Sequence, residues 1–250
     1  MLTLSPKQRE LQARDDRILE SARDLVLLHG YYGMTMDQIA RESGCPKGTL
    51  YHRFACKEDI LVAIAVTCTE RRTAMMRRAL DFEGCSRERL LGLAEAAALY
   101  GRMNPQDLQI MHTATGPIRE KASPSRVLAL LEAERDMMRN LVGLLNEAVA
   151  AGDLVPEYAG VLEEMAEGAF ALLEGGFTLI QDGVPQQILG VRDPFYKLWR
   201  YFNRAMDAYG WKPLFSEWDY EESLAKIRQQ IFPDEAQALY GEGAWYGDRL

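Results

Sequence analysis

Residues 35–57 read TMDQIARESGCPKGTLYHRFACK, and their spacing sets two short helices about a tight turn. Thr35 supplies an N-cap hydroxyl, and Gln38, three residues on, completes a capping box. Asp37, in the same first turn, suits the positive end of the helix dipole. Ile39 and Ala40 face inward. Gly44 stands where a glycine ends a helix, and Pro46 opens the next one, where a missing N–H costs little. The second helix runs from about Pro46 to Phe54. Leu50 and Phe54, one turn apart, form its buried side. Lys47, Gly48, Thr49, Tyr51, His52 and Arg53 are left to face outward. An alanine four residues before the turn glycine and a leucine six after it give the layout of a helix-turn-helix, whose second helix lies in a DNA major groove.

The longer stretch from Gly30 to Leu61, GYYGMTMDQIARESGCPKGTLYHRFACKEDIL, resembles the N-terminal DNA-binding domain of the TetR family of transcriptional regulators. The shared pattern is a glycine before the second helix, a threonine cap, Ile-Ala inside that helix and a turn glycine. Gly-Thr-Leu-Tyr follows, then an aromatic after a polar pair, then Lys-Glu opening a fourth helix. The departures are Pro46, where the family usually has serine, and Ala55-Cys56 before Lys57. Neither alters the register. The resemblance is specific over about the first quarter of the chain.

It implies an all-α fold: an N-terminal three-helix helix-turn-helix domain joined by a fourth helix to a larger helical ligand-binding and dimerisation domain. It also implies a ligand-responsive regulator, usually a repressor, that binds a palindromic operator as a dimer and is released by a small effector. Carried over residue by residue, Tyr51 and Lys57 contact phosphate. Thr35 caps its helix and can also donate to phosphate. Lys47 reaches a guanine edge or a phosphate, Thr49 and His52 face the groove, and Gly48 permits close approach. A cation at a helix start opposes the dipole, so a phosphate would give Lys57 its partner.

The 250-residue chain is 48% hydrophobic, enough for a real core, and carries a net charge of -8. That charge is unevenly spread. Residues 1–80 hold 13 Lys/Arg and 10 Asp/Glu, whereas 81–250 hold 16 and 27. A mildly basic head on an acidic body accords with nucleic-acid contact at the N-terminal end. The four cysteines (45, 56, 68 and 85) have no C-x-x-C spacing, and the three histidines (29, 52 and 112) do not cluster with them. No metal or cofactor is expected, and isolated reduced thiols are the plain reading, with a redox sensor at Cys45 or Cys56 as the alternative. No nucleophile motif, phosphate loop or metal spacing points to an enzyme. No signal-peptide stretch or run of ~20 apolar residues appears, so a cytoplasmic protein without a membrane span is expected.

Along the chain the expected domains are 1–56 (helix-turn-helix), a linking helix at about 57–80, 81–210 (effector binding and dimerisation) and an extension, 211–250. Residues 1–7 read as an arm and Gln8–His29 as a first helix, with Ile18, Ala22, Leu25 and Val26 inward. Ile60, Leu61, Ile64 and Cys68 line the inner face of the fourth helix, and Arg71, Arg72, Arg77 and Arg78 at its far end are expected to pair with carboxylates of the body. Further helices are expected near 86–103, 105–114, 124–151, 157–182 and 194–209, bounded by prolines, with one more at about 216–230 and a frayed end, GEGAWYGDRL. Ala169–Ile180 is nearly all apolar around Gly175-Gly176, and Phe195, Leu198, Trp199, Phe202 and Met206 form a second apolar stripe. Helices near 157–182 and 194–209 are therefore expected to pair two subunits as a homodimer. Tyr100, Met103, Met111, His112, Phe170 and Phe177, with Met137 and Leu173, are candidate contacts for a lipophilic or aromatic effector, or core residues. The alternative is an all-α interaction protein without operator binding.

Overall fold

The computed structural model describes residues 5–158 and 160–241, with backbone only at 185. Residues 1–4 of the expected arm and 242–250 of the expected frayed end lie outside the described residues. The described chain is all-α. Its head comprises α1 (Pro6–Gly33), α2 (Met36–Glu42), α3 (Lys47–Arg53) and α4 (Lys57–Arg78), the last followed by a 3-10 turn at Ala79–Asp81. Then come α5 (Ser86–Met103), α6 (Pro105–Thr113), α7 (Gly116–Lys121), α8 (Pro124–Ala151), α9 (Val161–Gln181) and α10 (Val184–Leu189). The chain closes with α11 (Pro194–Asp207), α12 (Tyr220–Gln230) and α13 (Pro233–Tyr240).

The first helix starts two residues earlier than the sequence suggests. Ser5 caps it in a reciprocal box with Gln8, and Pro6 occupies the first turn, where its missing N–H is harmless. Gly30 breaks it at φ 69°, and one further turn runs to Gly33. The short helices α7, α10 and α13 have no counterpart in the sequence reading, because six to eight residues carry too few periods to show a stripe.

Two compact units form. One comprises the chain to Glu70 together with Gln106–Glu134; the other comprises Arg71–Pro105 and everything from Arg135 onward. In the first unit, Ile18, Ala22, Met34, Ile39, Leu50, Phe54 and Ile64 share a core with Ile110, Ala114 and Leu130. Residues 106–134, read from sequence as part of the second domain, thus pack with the head. Polar contacts fix them there. Arg23 binds Asp107, whose side chain is 1% exposed. Asp59 accepts from the backbone N–H groups of Ser123 (2.6 Å) and Ala55 (3.0 Å). The Arg126 guanidinium lies 4.7 Å from the Phe54 ring centroid.

In the second unit α5 is buried almost throughout, packed on α9, α11 and α12. The extension packs into this core: Trp211, Tyr220, Ile227 and Phe232 are fully buried. Hydrogen bonds hold this segment to α5. Trp211 Nε1 donates to Ser86 Oγ (3.0 Å), Ser223 Oγ donates to Glu88 Oε1 (2.6 Å) and Arg228 Nε donates to Glu95 Oε1 (2.7 Å). Three of the four arginines at the far end of α4 pair with carboxylates: Arg72 with Glu174 (2.5 Å), Arg77 with Asp136 (2.8 Å) and Arg78 with Glu235. A Cβ placed on Gly176 would come within 2.5 Å of the Leu198 methyls, so α9 and α11 touch closely there.

The Arg228–Glu95 pair has both side chains under a tenth exposed. Removing one partner leaves a buried charge uncompensated, so Arg228→Ala is expected to cost about 3–5 kcal/mol in denaturant unfolding. Replacing both at once (Glu95→Leu with Arg228→Met) removes the stranded charge and is expected to recover most of that loss.

Candidate nucleic-acid interface

Thr35 and Gln38 form the reciprocal box that starts α2. Thr35 Oγ1 accepts from the Gln38 N–H (3.3 Å), and Gln38 Oε1 accepts from the Thr35 N–H (2.9 Å). The helix ends at Gly44, φ 64°, in a left-handed turn. There the Cys45 N–H reaches Ala40 O (3.0 Å) and the Gly44 N–H reaches Arg41 O (3.3 Å), closing a Schellman motif. Pro46 follows as the cap of α3, and its carbonyl accepts from Leu50 (3.0 Å). Leu50 and Phe54 are buried at 0% and 2% exposure and seat α3 on the core.

That seating turns one face of α3 outward. Lys47, Gly48, Tyr51, His52 and Arg53 are exposed and Thr49 is half-buried. Tyr51 is 50% exposed, and its hydroxyl has no partner among the described residues. Lys47 pairs with Asp37 at 2.8 Å, both more than half exposed, a contact worth at most about 1 kcal/mol that a phosphate can replace. A Cβ on Gly48 would meet nothing within 4 Å, so packing inside the protein does not call for a glycine there. Arg53 is committed elsewhere. Its guanidinium binds both Asp15 oxygens and braces α3 on α1, and this hydrogen bonding holds its pKa above the usual value despite some burial.

Lys57 departs from the sequence reading. Its ammonium does not wait for an outside anion: it donates to Tyr31 O (2.9 Å) and Met34 O (3.1 Å) and lies 4.1 Å from the Tyr31 ring centroid. These carbonyls end α1, where a cation is favourable. An ammonium has three donors, so one remains. The Tyr31 hydroxyl in turn donates to Glu58. Burial and the Glu58 carboxylate push that hydroxyl well above the usual tyrosine range. For Glu58 burial acts upward, but hydrogen bonds from Tyr31 and from its own backbone outweigh it and hold the carboxyl below its ordinary value. Because the folded value is the lower one, this stabilisation is complete above the ordinary carboxylate pKa and is lost as pH falls through the lowered one.

The cysteines in this region do not resemble sensors. Cys45 is buried, and burial pushes the Cys56 thiol up, with the Glu58 and Asp59 carboxylates adding to the shift, so little of it is thiolate at neutral pH.

A second feature lies in the other unit: a cavity of about 40 Å³ whose lining includes Arg72, Met76, Met137, Phe170, Leu173 and Glu174. Of the eight candidate effector contacts, Met137, Phe170 and Leu173 line it. Tyr100 is buried in the surrounding core, Met103 is 41% exposed at the end of α5, and Phe177 is buried beside Arg72 and Phe195. Met111 and His112 lie in the first unit, where Met111 Sδ accepts from Thr69 Oγ1 (3.5 Å). Arg72 and Glu174 were not among the effector candidates. The signal in the sequence was a cation and an acid within otherwise apolar helix faces.

Residues 18–64 match the family model described as "Bacterial regulatory proteins, tetR family". An uncharacterised helix-turn-helix transcriptional regulator of Bacillus subtilis, YxaF, is 44% identical over 54 residues, 22% of this chain and 28% of its own length. The transcriptional repressor AcnR of Corynebacterium diphtheriae is 38% identical over 56 residues, 22% of this chain and 30% of its own. The chain therefore spans less than a third of these curated relatives. The crystal structure of the TetR family regulator PfmR from Thermus thermophilus superposes with a TM-score of 0.56 at 24% identity, covering 75% of this chain and 96% of that one.

Two stability changes of opposite sign follow from the local contacts. Lys57→Ala strips two charge-assisted bonds from the end of α1 and should destabilise the head by about 1.5–3 kcal/mol. Gly48→Ala fills open space and relieves backbone entropy in a helix, so it should stabilise the head by about 0.5–1 kcal/mol. Urea unfolding followed by circular dichroism reads both.

Proposed function

We propose that this chain, which belongs to the TetR family of bacterial regulatory proteins, is a transcriptional regulator that lays α3 in the major groove of its operator. One observation carries the reading. The exposed face of α3 holds a glycine that packing does not require and a tyrosine hydroxyl without an internal partner, beside a lysine in an exchangeable ion pair. A groove surface uses all three: close backbone approach at Gly48, a phosphate at Tyr51, and a phosphate or guanine edge at Lys47. Thr35 and the third donor of Lys57 add phosphate contacts, and Thr49 and His52 complete the face. We assign reading of DNA to residues 1–56, and effector binding and dimerisation to the part of 81–210 that lies in the second unit, 81–105 and 135–210.

Repression is the mode we favour, in keeping with the relative named as a repressor. Pairing of two copies through α9 and α11 is supported by what those helices leave uncovered. Leu179 is 50% exposed, Tyr201 is 59% exposed, and a Cβ on Gly175 would meet nothing within 4 Å. Two heads in a dimer read half-sites about 34–36 Å apart, or a multiple of that, in an approximate palindrome. An effector held in the second unit releases the operator by preferring the head spacing that does not fit it. No helix among the described residues is long and apolar enough to cross a membrane.

Fluorescence anisotropy on fragments from the gene's own upstream region tests this against the interaction-protein alternative. Sequence-preferring binding at low micromolar or tighter is expected, and its absence at low salt favours the alternative. Tyr51→Phe should weaken binding about tenfold on every fragment that binds, the loss of one hydrogen bond to a charged group. Lys47→Ala should lower the salt slope by about 1 per head. Gly48→Ala should weaken binding while raising stability, a combination that a purely structural role for Gly48 does not produce.

A further inference from the structure

We infer that the cavity of the second unit takes a lipophilic molecule carrying one uncharged hydrogen-bond acceptor, such as a ketone, ester or amide carbonyl, and that Arg72 Nε–H donates to it. The inference rests on the effector-binding role proposed above and names the chemistry of that site.

The walls decide the class. All but two of the lining residues are apolar, and the exceptions are Arg72 and Glu174. The Arg72 side chain is 5% exposed, and one terminal nitrogen is 2.5 Å from a Glu174 carboxylate oxygen. The Nε–H of the same guanidinium is buried and has no hydrogen-bond partner among the described residues. A buried donor without a partner is a standing cost, and a ligand that supplies an acceptor removes it.

Charge balance then selects among acceptors. Arg72 and Glu174 already neutralise each other. A carboxylate ligand would bring a second negative charge into apolar walls with only a spent cation to face it. An ammonium would meet the guanidinium and offer Nε–H no acceptor. A neutral carbonyl accepts the free donor and adds no charge, while its alkyl or aryl body meets the apolar side chains.

At about 40 Å³ the space is far below the ~300–1,000 Å³ of sites for drug-sized ligands, so the walls must move. Met76, Met137 and Met138 line it, and unbranched thioethers yield without breaking a fixed packing arrangement. Phe170, 40% exposed, marks its outer rim.

The test uses the full chain at neutral pH and three matched probes, 2-nonanone, octanoate and nonane, by isothermal titration with and without an operator fragment. The ketone should bind at least tenfold more tightly than either of the others. In the double variant Arg72→Met/Glu174→Met, which removes the donor and its partner together, the advantage of ketone over nonane should fall below threefold. Octanoate binding as tightly as the ketone overturns the inference. So does a retained ketone preference in the double variant, or binding of none of the probes. If the double variant does not unfold cooperatively, Phe170→Trp in the otherwise unchanged chain reads the ketone–nonane comparison by tryptophan emission, and equal midpoints there overturn it. Operator binding with no probe bound refutes this inference and leaves the regulator standing. Ketone binding that leaves operator affinity unchanged supports the ligand class and refutes its regulatory role.

Discussion

The ammonium of Lys57 on the carbonyl oxygens of Tyr31 and Met34 is the contact on which the head depends. It joins the first residue of α4 to the end of α1, and α2 and α3 are the chain between those two points. The next residue, Glu58, accepts from the Tyr31 hydroxyl, so two neighbouring side chains of α4 grip one turn of α1 from opposite polarities. With its ends fixed, the intervening segment can be short and still hold one geometry: Leu50 and Phe54 fill the core and Arg53 braces α3 on α1 through Asp15. A reading surface needs this rigidity, because groove contacts lose their value when a helix shifts by an ångström or so. The family resemblance implied a phosphate for Lys57, and the structure shows that its first duty is internal.

The head was legible because its signals are local. A capping box spans four residues, a Schellman turn six, and the pairing of Leu50 with Phe54 a single helical turn, so the sequence states each within a short window. The helices bounded by Pro105, Pro124 and Pro194 were legible for the same reason. Which core a helix joins is a different kind of fact. Ile110, Ala114 and Leu130 present an ordinary apolar stripe, and nothing local says that it meets the head. That is settled by pairs such as Arg23 with Asp107 and Asp59 with Ser123, more than sixty residues apart. The effector candidates meet a related ambiguity. Methionine and aromatic side chains at helical spacing fill cores and line cavities alike, so composition could not separate Tyr100, in the core, from Phe170, at the rim. The informative residues were the charged ones, Arg72 and Glu174, which an apolar environment tolerates only as a pair.

The segment after α11, an extension in the sequence reading, is structural. Trp211, Tyr220, Ile227 and Phe232 are large and fully buried. Four polar side chains that α5 buries near them are bonded by this segment or by α11. Ser86 accepts from Trp211, Glu88 from Ser223 and Trp218, and Glu95 from Arg228, while Arg87 donates to Asn203 O and Asp207. Arg87 is fully buried with two of its nitrogens unpaired, and burial lowers its pKa below the ordinary arginine value. The segment therefore cannot be removed without exposing both apolar surface and the polar row of α5.

Gly175 and Gly176 carry the same point to the remaining open face. Each should weaken α9 by about 1 kcal/mol relative to alanine, so each calls for a compensating contact. Gly176 has one inside the chain, because a Cβ there would strike Leu198. Gly175 has none, because the space beside it is open. The same side of α9 leaves Leu179 half exposed, and Tyr201 of α11 is 59% exposed. A single apolar residue on a surface needs no explanation, but a helix that gives up stability at a bare glycine one turn from an uncovered leucine does. Two neighbouring glycines thus differ: Gly176 admits α11 of the same chain, and Gly175 leaves its face open, as the proposed pairing of two copies requires.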